Sequence, residues 1–171
     1  MTTTETDLPP EPQGRVLIIA GSDSSGGAGI QADIKAVTAL GGYAATAITA
    51  LTVQNTLGVT AVHGAPMEII SGQIAAVLDD IGADAIKTGM LASKDVIDTV
   101  AAALDAAGAE LIPLIVDPVM VASSGGRLIE DSAVAALKNT LIRRAALVTP
   151  NIPEAEALTG LKIEDVDGQR E

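Results

Sequence analysis

Apolar and polar positions follow two different periods along this chain. Short, continuous apolar runs rich in β-branched residues occupy positions 16–20, 44–53, 83–86, 111–116 and 145–148. Runs of this length suit strands buried on both faces, as in parallel sheets. Between them lie stretches of helical period. Ile30, Ile34 and Val37 share one stripe, and so do Ile70, Ile74, Val77 and Leu78; positions 96–107 and 132–141 behave likewise. Pro66 and either Asp131 or Ser132 stand where helices begin, and Gly41, Gly82 and Gly108 stand where helices end. Strand and helix alternating in this way predicts an α/β fold: a parallel sheet with right-handed crossovers. Positions 1–14 break the pattern. They are polar, acidic and proline-rich, and are expected to form a disordered leader ahead of a domain over 15–171.

Composition narrows the picture. The chain has 171 residues, 48% of them hydrophobic, yet Tyr43 is its one aromatic residue, so the core is built of Ala, Ile, Leu and Val. A net charge of −12 and the lack of stacking rings exclude nucleic acid as a partner. No apolar run reaches about 18 residues, which argues against a membrane span, and the start of the chain lacks the basic segment of a secretory signal. With no cysteine there are no disulfides or thiolate metal sites, and a cytoplasmic location fits best.

In open α/β sheets, ligands bind beyond the carboxyl ends of the strands, and four places there carry candidate chemistry. The first is the glycine- and serine-rich stretch from Gly21 to Gly29, which is either a tight connection or a ligand lid; the helix after it is expected to offer free N–H groups to an anion. Gly27–Ala32 fits G-x-G-x-x-A, but a dinucleotide site also needs an acid after the second strand, where Gln54 stands instead. The second is Asp33, a carboxylate on the apolar stripe of the first helix. It is either a structural hydrogen-bond partner or a contact to a polar group of a ligand. The third is Gln54-Asn55-Thr56, either a turn or a carboxamide matched to the ring-nitrogen and amino edge of an aminopyrimidine. The fourth gathers Asp117, Asn151 and Glu154 after later strands, an oxygen set suited to Mg²⁺. His63 has no nucleophile to serve and reads as a surface or strand-end residue. Lys87 is either structural or faces an anion.

Five segments coincide in order with one family: AGSDSSGGAGIQADIK (20–35), ITALTVQNT (48–56), KTGML (87–91), VDPVMVASSG (116–125) and TPNIPEAEALTG (149–160). Together they resemble the hydroxymethylpyrimidine/phosphomethylpyrimidine kinases of thiamine biosynthesis, in the ribokinase-like superfamily. The resemblance implies a three-layer sandwich around a mostly parallel sheet. It also implies phosphorylation of 4-amino-5-hydroxymethyl-2-methylpyrimidine and its monophosphate, with ATP as co-substrate and Mg²⁺ as cofactor. Gly21, Asp33, Gln54, Met90 and Val119 would line the pyrimidine pocket. Asp117, Asn151 and Glu154 would lie near Mg²⁺ and the ATP phosphates, Asp117 and Glu154 reaching the metal through water. Superfamily members often pair, so a homodimer is among the states implied.

Two departures from the family pattern shape the expectation. The family's later Gly-Thr-Gly-Cys stretch, which forms the anion hole and carries the catalytic group, does not occur in this sequence, so the C-terminal part of the domain is expected to be missing and no catalytic residue is assigned. Ser123-Ser124 stands where many members carry a lysine. A pyridoxal-type kinase shares the first and last segments, and a non-catalytic pyrimidine-binding remnant is the reading from a different class.

Overall fold

A computed structural model of the chain describes residues 12–120 and 131–164. In chain order the elements are β1 (Arg15–Ala20), α1 (Gly29–Ala39), β2 (Tyr43–Ile48), β3 (Ala50–Asn55), β4 (Gly58–Gly64), α2 (Met67–Asp80), β5 (Ala85–Thr88) and α3 (Lys94–Ala106). A 3-10 turn at Ala109–Leu111 follows, then β6 (Leu114–Val116), α4 (Asp131–Asn139), α5 (Leu141–Arg144), β7 (Leu147–Val148) and α6 (Ile152–Thr159). Five strands form one sheet in the order β2-β1-β5-β6-β7, and every neighbouring pair is parallel. The predicted α/β class and parallel central sheet are therefore present.

Alternation along each central strand divides the core into two layers. Leu17 and Ile19 of β1, Ile86 of β5 and Val116 of β6 face Ile70 and Ile74 of α2, Ile97, Val100 and Leu104 of α3, and Leu137 of α4. On the opposite face Ile18 and Ala20 meet Ile30 of α1, with Ile34 and Val37 alongside. Most of these side chains are sealed from water, and each contributes roughly 1.5–3 kcal/mol through the apolar area it buries. The helices end where expected. Gly41, Gly82 and Gly108 follow α1, α2 and α3 with φ of 78°, 74° and 65°, a left-handed conformation that glycine adopts without a Cβ penalty.

Several predicted boundaries are corrected. The apolar run 44–53 is two strands, not one. The chain leaves the main sheet at Thr49, and β3 pairs antiparallel with β4 in a separate ribbon that the sequence reading did not contain. The reason lies in β3, where Ala50 and Thr52 are buried and Leu51 and Val53 exposed; only one face of the ribbon is covered. Gln73 of α2 stands in for the missing neighbour of β2. Its side-chain oxygen accepts the Ile48 N–H at 3.0 Å and its amide donates to the Ile48 carbonyl at 3.2 Å. The run 111–116 is strand only from Leu114, because Pro113 has no N–H for a ladder and Leu111 projects into solvent. The helix expected over 132–141 breaks at Thr140 into α4 and α5. Positions 1–11 of the expected leader lie outside the described residues. Gln13 and Gly14 are already engaged with Gly41 and Tyr43, ahead of the strand at Arg15.

Two expected outcomes follow from this packing. Arg15 grips Asp84 through its backbone N–H at 2.8 Å, Nε at 3.1 Å and the second guanidinium nitrogen at 2.8 Å. The side-chain bond from Arg15, then its backbone N–H, hold the Asp84 pKa at about 2 against 3.8 for a free carboxyl. A carboxyl depressed on folding stabilises the native state above its unfolded value and loses that effect as the pH falls towards its folded one. In thermal melts, Asp84→Asn is therefore expected to lower Tm at neutral pH, with the difference closing between about pH 4 and pH 2. A difference unchanged at pH 2 would contradict the assignment. Thr88 is fully buried and its hydroxyl meets no partner. Thr88→Val keeps the shape while removing that group, and is expected to stabilise the chain by about 1 kcal/mol in urea denaturation; a loss of that size would show that the hydroxyl is bonded.

Candidate active site

β1 sends its crossover to β2 on one side, while β5 returns on the other, so the order of the sheet reverses at β1. This switch point is where an open parallel sheet leaves a crevice. A pocket of about 290 Å³ opens there, walled by the segment after β1, by β3, by the end of β5 and by the turn after β6. Its volume is at the small end of the ligand-pocket range, which spans roughly 300–1,000 Å³. That suits one substituted ring rather than a whole nucleotide.

The wall after β1 is organised by Asp23, which is only 2% exposed. Its carboxylate accepts the backbone N–H groups of Ser25 (2.8 Å), Gly27 (3.0 Å) and Ala28 (2.8 Å), and the Ser25 hydroxyl at 2.7 Å. Burial works to raise the Asp23 pKa, but the Ser25 hydroxyl and the three N–H groups outweigh it and hold the carboxyl below its ordinary value. The Ile30 N–H is taken by the Gly21 carbonyl at 3.0 Å. The expectation that the start of α1 offers donors to an anion is narrowed, since the Ala28 and Ile30 N–H groups are already taken within the protein. The protein's own Asp23 carboxylate already occupies the loop N–H groups just ahead of the helix. Aspartate and serine binding backbone N–H groups two residues on is turn chemistry, so Asp23-Ser24-Ser25 carried a signal that the sequence reading passed over.

The same loop is sewn to β3. The Ser24 hydroxyl donates to the Gln54 carbonyl at 2.6 Å and accepts its N–H at 2.8 Å. The Thr52 hydroxyl donates to the Ser22 carbonyl at 2.8 Å. One hydroxyl has one proton, so Gln54 Oε1, 3.3 Å from the same oxygen, receives little of it and stays open to a ligand donor. Close packing fixes the glycines. A Cβ on Gly21 would lie 2.5 Å from Met90 Cε, and one on Gly29, at φ +56°, would lie 2.5 Å from the Gly21 carbonyl. Met90 is held from behind by the Thr49 hydroxyl, which donates to its carbonyl at 2.9 Å.

The pocket also contains charge. Lys87 of β5 reaches Asp33 of α1 at 2.9 Å and Asp117, after β6, at 3.1 Å, all three side chains between a fifth and a third exposed. Asp33 thus has the partner that a carboxylate in that place requires, and Lys87 faces two carboxylates of the protein itself. Gly21, Asp33, Gln54, Met90, Val119 and Asp117 all line this one pocket. Asn151 and Glu154 do not. They form the reciprocal cap of α6: Asn151 Oδ1 accepts the Glu154 N–H at 2.9 Å, and Glu154 Oε2 accepts the Asn151 N–H at 2.9 Å. Glu154 Oε1 accepts the Met120 N–H at 3.3 Å, so this residue is 5% exposed rather than a surface acid. His63 is exposed on β4, as expected. Positions 123–125 lie outside the described residues. Among the described residues no group of three or more His, Cys, Asp or Glu is placed to hold a metal by itself, and no helix is long and apolar enough to cross a membrane.

Similarity to known proteins agrees with this geometry. A family model described as phosphomethylpyrimidine kinase matches residues 23–171. The hydroxymethylpyrimidine/phosphomethylpyrimidine kinase of Bacillus subtilis is 51% identical over 156 residues, covering 91% of this chain and 57% of that protein. The crystal structure of phosphomethylpyrimidine kinase from Clostridium difficile superposes with a TM-score of 0.83 at 48% identity, over 91% of this chain and 66% of that one. Pyridoxal kinase from Staphylococcus aureus, in complex with pyridoxal, gives a TM-score of 0.80 at 35% identity, over 91% and 57%. The chain spans between a third and three-fifths of the length of the curated relatives it matches. With the motif order, the parallel sheet and the pocket at its switch point in agreement, the chain belongs to the phosphomethylpyrimidine kinase family.

Proposed function

We propose that this pocket binds 4-amino-5-hydroxymethyl-2-methylpyrimidine and its monophosphate, as the substrate side of an enzyme that phosphorylates both from ATP. The observation that carries the reading is the convergence of Gln54, Asp33, Met90, Gly21 and Val119 on one ring-sized space. Gln54 presents an acceptor and a donor side by side, matching the ring nitrogen and amino group of an aminopyrimidine. Met90, pinned through Thr49, supplies a flexible apolar surface for the ring in a chain that has almost no aromatic residues. Asp33 offers a carboxylate oxygen to a hydroxyl or amino proton. The glycine loop serves as a lid for an uncharged ring, because Asp23 fills the place where a phosphate would meet its N–H groups.

The phosphate side lies toward Asp117. Its carboxylate is the more open of the two acidic candidates and stands at the end of β6, where Mg²⁺ would be met by one or two carboxylates and several waters. Glu154 has both oxygens engaged by backbone N–H groups, so it reaches such an ion through water, using the remaining lone pairs. Mg²⁺ bound there supplies charge neutralisation to the transferring phosphoryl group. Cytoplasmic location accompanies this reading, in keeping with the cysteine-free sequence.

The likeness to a pyridoxal-bound kinase favours a second reading, a pyridoxal-type kinase. Thermal shift separates the two. The chain is expected to be stabilised more by hydroxymethylpyrimidine than by equal pyridoxal, and Gln54→Ala to weaken pyrimidine binding at least tenfold, about 1.4 kcal/mol. A larger shift with pyridoxal, unmoved by Gln54→Ala, would replace the pyrimidine reading. ATP turnover in the presence of the pyrimidine alcohol would dismiss a binding module without catalysis. For the phosphate side, Asp117→Asn is expected to weaken Mg·ATP binding about tenfold by calorimetry; unchanged affinity would remove Asp117 from the metal's surroundings.

A further inference from the structure

Lys87 is placed where a lysine is costly. β5 is the middle strand of the five, and its side chains alternate: Ile86 and Thr88 enter the core shared with α2 and α3, while Lys87 turns to the α1 side, in register with Ile18. An ammonium there must be partnered. It meets Asp33 Oδ2 at 2.9 Å and Asp117 Oδ2 at 3.1 Å, and Gly89 leaves it room, since a Cβ at that position would lie 3.1 Å from Nζ. Among the described residues Lys87 is the one cation that lines the pocket.

We propose that Lys87 is the positioning residue of this site, a single ammonium that sets the ring-binding carboxylate of Asp33 and the phosphate-side carboxylate of Asp117 relative to each other. The proposal rests on the ring-binding role given above to Asp33. Lys87 occupies Oδ2 of Asp33, so a ligand proton is met by the other oxygen, whose direction the ion pair fixes. It also draws Asp117 towards α1, although the two carboxylates belong to different layers of the fold and would otherwise repel. Ligand geometry and metal geometry are thereby referred to one nitrogen atom.

A double-mutant cycle on the 171-residue chain tests this, with hydroxymethylpyrimidine affinity read by calorimetry. Lys87→Met and Asp33→Asn are each expected to weaken binding at least tenfold, and the double variant to bind within about threefold of Asp33→Asn alone, because Lys87 acts through Asp33. Full multiplication of the two losses would overturn the proposal. Lys87→Gln, which keeps hydrogen-bond donors without the charge, is measured alongside, and circular dichroism establishes that each variant is folded. A second arm needs no ring ligand. Removing the ammonium leaves two carboxylates facing one point, so Lys87→Met or Lys87→Gln is expected to bind Mn²⁺ at least tenfold more tightly than wild type by water-proton relaxation. Adding Asp117→Asn should reverse that gain. No gain in Mn²⁺ affinity would refute the shared placement. If the wild type bound no pyrimidine, the substrate reading would fall, and the Mn²⁺ arm would still decide the role of Lys87.

Discussion

The carboxylate of Asp23 is the point on which the ligand-binding end of this molecule is built. Parallel strands deliver their chain ends to one edge of the sheet, and the first connection must turn from β1 into α1 over only a few residues. Glycines permit that path but do not choose it. The choice comes from one buried acid that collects three backbone N–H groups and a hydroxyl. The loop wound around Asp23 presents Ser22 and Ser24 to β3, and those bonds seat the ribbon with Gln54 at the pocket.

Charge is arranged on similar lines. The chain is strongly acidic, yet its pocket is a partly neutralised cluster in which one ammonium stands between two carboxylates. Asp33 comes from a helix on one face of the sheet, Lys87 from the sheet itself, and Asp117 from the turn after a neighbouring strand. Three elements with separate hydrophobic contacts are thus tied at the candidate pocket. In a half-buried setting such a network costs desolvation, which offsets much of what its ion pairs contribute to stability.

How far this was readable in advance depended on whether the signal was local. Continuous apolar runs revealed the parallel strands, and Gly41, Gly82 and Gly108 marked helix ends because a left-handed residue after a helix is a local requirement. The ribbon was hidden because the run 44–53 is apolar throughout. The break at Thr49 depends on hydrogen bonds to Ala20, Ala65 and Met90, all remote or in other elements. Among candidate site residues, Gln54, Asp33 and Asp117 stood out by type at strand ends or on a helix stripe, and Met90 and Val119 entered through family resemblance. The partner of Asp33 could not be read, since Lys87 is 54 residues away and meets it only across the sheet. Glu154 was legible as an oxygen donor after a late strand; its burial was not, because it depends on the turn carrying Met120.

Thr49 has a mechanical consequence. It donates its N–H to β1, accepts the Ala65 N–H where the ribbon rejoins the body, and holds Met90 with its hydroxyl. The ribbon is therefore anchored at one buried residue that also grips the opposite wall of the pocket. Since the glycine loop is bonded to β3, loop and ribbon form one continuous wall that shares this anchor. Loss of the Thr49 hydroxyl would therefore disturb both walls of the pocket at once, although the side chain itself does not line it.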